Sequence, residues 1–76
     1  MTKIEKNFCS KIRELRKDAG LSQVEMAEEI GLSQEFISHM ETGRKSPSLT
    51  TIQLLINYFN IEPKDLLFDH WPENSR

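Results

Sequence analysis

The stretch that decides the fold is Gly20–Gly43, GLSQVEMAEEIGLSQEFISHMETG, in which three glycines bracket two short segments with apolar residues at helical spacing. Ser22 stands three residues before Glu25, the pattern of a capping box, so a helix is predicted to begin there. Gly31 supplies the left-handed residue that ends it, Ser33 can cap a second helix, and Gly43 ends that one. The stretch reads as two helices of about nine residues joined by a turn of about three or four. Met26, Ala27 and Ile30 form the inward stripe of the first, and Phe36, Ile37 and Met40 that of the second.

Working outward, Ile4, Phe8, Ile12, Leu15 and Ala19 recur at helical steps and predict a helix over Thr2–Ala19, stopped by Gly20. Arg44–Pro47 is a polar connection, because a proline disfavours helix in the residue before it. Ser48 can cap a further helix with Leu49, Ile52, Leu55, Ile56 and Phe59 facing inward. The chain resets at Asn60, and Pro63 at a first helical position opens a short fifth helix through about Phe68. No segment alternates as a half-buried strand does. The expectation is an all-α, compact five-helix bundle over residues 1–68 with a C-terminal tail at 69–76, DHWPENSR.

Seventy-six residues allow one domain with a small core and little room for an enclosed active site, so a binding module is favoured over an enzyme. No nucleophile, base and orienting group fall together, and there is no phosphate-cradling glycine loop. Cys9, the only cysteine, cannot close an intrachain disulfide and reads as a partly buried small residue. His39, His70 and Cys9 lack metal-ligand spacing, so no metal and no cofactor are expected. With no secretory signal and no apolar run near the length of a membrane span, a cytoplasmic protein is expected.

The formal net charge is −2, which is unusual for a chain that grips phosphates. Its distribution is more informative. In residues 1–19, Lys3, Lys6, Lys11, Arg13, Arg16 and Lys17 outweigh Glu5, Glu14 and Asp18, for a net of +3. Residues 20–43 carry Glu25, Glu28, Glu29, Glu35 and Glu41 with no Lys or Arg, for a net of −5, and the remainder balances. Two short helices joined by a tight turn are the helix-turn-helix signature, whose second helix enters the DNA major groove. Any phosphate grip must then come from the residues flanking the two central helices.

The run LSQVEMAEEIGLSQEFISHMETGRKSPSL resembles the Cro and C1 repressor-like, or xenobiotic-response-element, family. The match extends over about Lys11 to Leu67: the IRELRKDAGLSQ entry, Ala27, Gly31, Ser33 with Gln34, Ile37, the Met40–Gly43 exit, the PSL start of the fourth helix, and Asp65-Leu66-Leu67. The resemblance implies a transcription regulator that binds double-stranded DNA, commonly as a homodimer on a palindromic operator. It also implies roles. Gln23 would hold a backbone phosphate, which suits a helix N-terminus. Ser33, Gln34, Glu35, Phe36, Ser38 and His39 would belong to the recognition helix, Arg44 and Lys45 to a phosphate-binding loop, and Arg16 with Glu41 to a structural ion pair. No small-molecule ligand is implied.

Among these, Gln34 has the firmest chemical warrant, because an amide offers a donor and an acceptor that match adenine N7 and N6. Glu35 has two readings, acceptor from cytosine N4 or acid favoured at a helix N-terminus. Phe36 likewise either meets a thymine methyl or packs in the core. His39 can donate to guanine or to a phosphate. Leu54 and Tyr58 lie outside the main inward stripe and, with Leu67, Phe68 and Trp71, form a candidate dimer interface that would set two recognition helices about 34 Å apart. The competing reading places Tyr58 and Phe68 in the core, with Trp71 folded over it. A different functional class also fits the −5 central helices: an acidic protein-interaction module, or an antitoxin-like partner protein, on the same fold.

Overall fold

A computed structural model describes residues 2–62, and in it every helix starts on a hydroxyl side chain that accepts from a backbone N–H of the first turn. The helices are α1 (Lys3–Asp18), α2 (Gln23–Ile30), α3 (Gln34–Glu41) and α4 (Leu49–Phe59), with N-caps Thr2, Ser22, Ser33 and Ser48. Thr2 with Glu5 and Ser22 with Glu25 are reciprocal capping boxes, each satisfying two otherwise orphan N–H groups. At Glu5 the backbone N–H of Thr2 holds the carboxyl below the usual carboxylate range.

The ends repeat one device. A left-handed residue follows each last turn, Gly20, Gly31, Gly43 or Asn60, and the N–H one position further on reaches back to a carbonyl of that turn. At Gly31, with φ of 78°, this device makes the α2–α3 turn as tight as it is: the N–H groups of Gly31 and Leu32 share the Ala27 carbonyl at 2.9 Å, and Ser33 caps α3 directly afterwards.

The described residues are all-helical and hold four helices. The fifth helix expected from Pro63 to Phe68, and with it the count of five, lies outside them. The core takes Phe8, Cys9 and Ile12 from α1, Met26 and Ala27 from α2, Ile37 and Met40 from α3 and Leu55 from α4. Ile12, Met26, Ile37, Met40 and Leu55 are wholly buried, and each contributes about 1.5–3 kcal/mol by leaving water. α3 packs on both α2 and α1, while α4 packs on α2, so the second helix of the motif is held from behind on two sides. Among the described residues no helix is long and apolar enough to cross a membrane.

Three inward assignments need correction. Ile4 is 44% exposed and Ala19 is exposed, because α1 is twice the length of α2 and α3 and its ends overhang them. Its real seam is Phe8, Cys9, Ile12 and Arg16. Leu49 is 85% exposed, since it stands in the first turn of α4 before that helix meets the core. Thr51 is buried in its stead, its hydroxyl accepting from Ser48 Oγ at 3.1 Å.

Candidate nucleic-acid interface

Arg16 and Glu41 come from opposite ends of the motif and meet inside the fold. Arg16 Nε donates to Glu41 Oε2 at 2.8 Å and Nη2 donates to Oε1 at 3.0 Å, a bidentate pair. The side chains are 10% and 1% exposed. The third arm, Nη1, donates to the Leu21 carbonyl at 2.7 Å, so the guanidinium also fixes the entry to α2. The Glu41 hydrogen bonds push the Arg16 pKa further up and leave it a fixed cation.

The pair is the root of a longer chain. Gln23 Nε2 donates to Glu41 Oε1 at 3.1 Å, and Gln34 Nε2 donates to Gln23 Oε1 at 2.8 Å. Its polarity follows from chemistry. An ionised carboxylate only accepts, so Gln23 must turn its amino group to Glu41 and its carbonyl to Gln34, and Gln34 must answer with an N–H. Gln34 is exposed and retains its carbonyl oxygen and a second N–H. Both glutamines sit at the first position of their helices, directly after a serine cap.

The remaining candidates divide by exposure. Ser33 and Glu35 are exposed beside Gln34, Ser33 being occupied in capping Phe36 N–H at 3.0 Å and Glu35 standing in the first turn of α3. Ser38 and His39 are half-buried further along α3. Phe36 is partly buried and packs against the core, the position that its packing reading requires. Arg44 and Lys45 are exposed, and their backbone N–H groups both point back to the His39 carbonyl, which holds the loop against the end of α3.

The dimer candidates are less uniform. Leu54 is 39% exposed on α4. Tyr58 is half-buried, packs against the core, meets the Phe59 ring edge-on at 4.8 Å and donates its hydroxyl to Glu29 of α2. Leu67, Phe68 and Trp71 lie outside the described residues. Cys9 is buried, and burial pushes its thiol up to about 11, so it stays protonated. Among the described residues no group of three or more His, Cys, Asp or Glu could hold a metal.

The Gln34–Gln23–Glu41–Arg16 chain is larger than the ion pair expected from the sequence. Its signal was available: Gly-Leu-Ser-Gln occurs at both 20–23 and 31–34, which puts an identical cap and glutamine at the start of both helices.

The helix-turn-helix family HTH_3 matches residues 12–66. The HTH-type transcriptional regulator DdrOP3 of Deinococcus deserti is 39% identical over 60 residues, which make up 79% of this chain and 46% of that protein. The cryptic phage CTXphi transcriptional repressor RstR of Vibrio cholerae is 36% identical over 62 residues, 82% of this chain and 56% of its own. The chain thus spans about half the length of these relatives. The crystal structure of the restriction-modification controller protein C.AhdI from Aeromonas hydrophila superposes with a TM-score of 0.70 at 36% identity, covering 84% of this chain and 96% of that one. The caps, the tight turn and these matches agree: the chain belongs to the Cro/C1-type helix-turn-helix family of DNA-binding transcriptional regulators.

Proposed function

We propose that this protein is a sequence-specific regulator whose domain, residues 1–68, binds a palindromic operator as a homodimer with α3 in the major groove. One observation carries the reading: the hydrogen-bonded chain that ends at exposed Gln34 with a carbonyl and an N–H to spare. Those two groups match adenine, the carbonyl accepting from N6 and the N–H donating to N7. Ser33, Glu35, Ser38 and His39 adjoin the same groove, and Phe36 serves chiefly to seat α3 on the core. Arg44 and Lys45 supply phosphate contacts after the recognition helix, where their exposed side chains offset the acidic α2 and α3. Gln23 has a double part, steadying Gln34 and presenting the first turn of α2 to a phosphate.

Two such helices reach successive half-sites only in a dimer, to which exposed Leu54 on α4 is assigned; Leu67, Phe68 and Trp71, expected there from the sequence, lie outside the described residues. Tyr58, assigned to the same interface, is half-buried and tied to Glu29. Under this reading operator occupancy follows the protein's own concentration through dimerisation.

The test is selection from a random duplex pool at low and moderate salt. A palindrome with half-sites about one turn, ~34 Å, apart is expected. Recovery of no sequence would contradict the reading and turn attention to the acidic α2–α3 surface as a protein-binding face. Lys45→Ala should weaken every duplex alike and lower the salt slope by about one per subunit, about two for the dimer.

A further inference from the structure

Lys6, Ser10, Arg13 and Lys17 recur along α1 at steps of four, three and four, so they share one face of the helix. All four are exposed, and none of the three cations has an ion-pair partner among the described residues. The row runs beside the Cys9–Ile12–Arg16 seam, and open clefts separate it from the last turn of α3. One, of about 400 Å³, is lined by Lys6, Cys9, Ser10, Glu41, Thr42 and Gly43. Another, of about 280 Å³, is lined by Ser10, Arg13, Glu14, Lys17 and Glu41. The two acids there are already engaged: Glu41 by Arg16 and Gln23, Glu14 by Lys11 at 3.5 Å.

We infer that this α1 row is a second phosphate-binding surface, which grips the DNA backbone beside the half-site that α3 reads. The inference rests on the DNA-binding reading above. Continuity selects the duplex as occupant: the rim of the larger cleft, Thr42–Gly43, leads directly into Arg44 and Lys45. Length agrees. At about 1.5 Å per residue, Lys6 to Lys17 spans about 16 Å, comparable to the rise of about five phosphates along one strand at ~3.4 Å each. Charge agrees as well, for the −5 of residues 20–43 leaves the attraction to the +3 of residues 1–19, half of whose cations stand in this row.

The experiment compares wild type with the triple variant Lys6→Gln/Arg13→Gln/Lys17→Gln on the selected duplex and on random duplex, from low to moderate salt. Glutamine keeps helix propensity, and thermal melts check the fold. Lys11→Gln/Glu14→Gln, which removes the neighbouring ion pair without changing the net charge, is the control. The triple variant should bind both duplexes more weakly by the same factor, with the salt slope reduced by about two to three per subunit, about five for the dimer, while Lys11→Gln/Glu14→Gln leaves it unchanged. The single changes Lys6→Gln and Arg13→Gln should each lower the slope by about one per subunit, about two for the dimer. Wild-type slope in the triple variant, with selection intact, would overturn the α1 surface and leave the DNA reading standing; so would a loss confined to the selected site. A wild type that binds no duplex at all would overturn both.

Discussion

The two ends of one hydrogen-bonded chain have opposite surroundings. At the Arg16–Glu41 end the charges are buried, bidentate and neutralised, and at the Gln34 end a neutral amide stands in the open. The difference separates two tasks. Burial makes the ionic end costly to break and so a determinant of the fold, whereas the exposed end can change its hydrogen-bond partner without disturbing any helix. Gln23, half-buried between them, passes the orientation imposed by the carboxylate out to the surface.

The hardest blow to this division is Arg16→Ala. It strands the Glu41 carboxylate inside the protein and frees the Leu21 carbonyl, so about 3–5 kcal/mol of stability should be lost in denaturant titration. A melt indistinguishable from wild type would mean that the buried end does not hold the fold. Gln34→Ala should do the reverse, leaving the melting temperature alone and costing about 1–3 kcal/mol on the best operator.

Gln23→Ala sharpens the middle of the comparison. Losing its bond to Glu41, which Arg16 still holds, should cost about 0.5–1.5 kcal/mol of stability. Binding reports the rest. A loss confined to the selected site marks Gln23 as the support of Gln34, and an added loss on random duplex marks its phosphate contact. If neither changes, the chain does not transmit orientation at all.

The smallest effect lies at Tyr58. Its bond to Glu29 pushes the phenol up to about 12 from an ordinary value of 10, so the neutral form is favoured by folding. The stabilisation is therefore complete below pH 10 and is lost as pH rises through about 12. Tyr58→Phe should lose stability modestly at neutral pH and show a shallower decline than wild type above pH 10. Parallel declines would show that the bond does not fasten α4 to α2 in solution.

Most of the local structure was legible because caps and left-handed stops are chemistry of single residues: Ser22 with Glu25, Gly31 and Ser33 stand as the sequence indicated. The resemblance also supplied the Arg16–Glu41 pair, which spans 25 residues and which no periodicity reveals. What periodicity missed was length. It placed Ile4, Ala19 and Leu49 inward because helical spacing says which face a residue shares but not whether a neighbouring helix extends far enough to cover it. Periodicity also gave no sign of Thr51 and Arg16, polar residues buried because partners within reach satisfy them. For the Gln23–Gln34 bond the repeated Gly-Leu-Ser-Gln marks two equivalent helix starts, but their meeting depends on how the turn juxtaposes them.

The most direct test of the central claim is a titration of wild type and Gln34→Ala against the selected operator, against its counterpart with the adenine opposite Gln34 replaced by guanine, and against random duplex. Wild type should lose about 1–3 kcal/mol on the substituted site, and the variant should bind both sites equally while matching wild type on random DNA. A variant that still prefers the original operator by the wild-type margin would contradict the account, because the buried chain would then end at a residue that reads nothing.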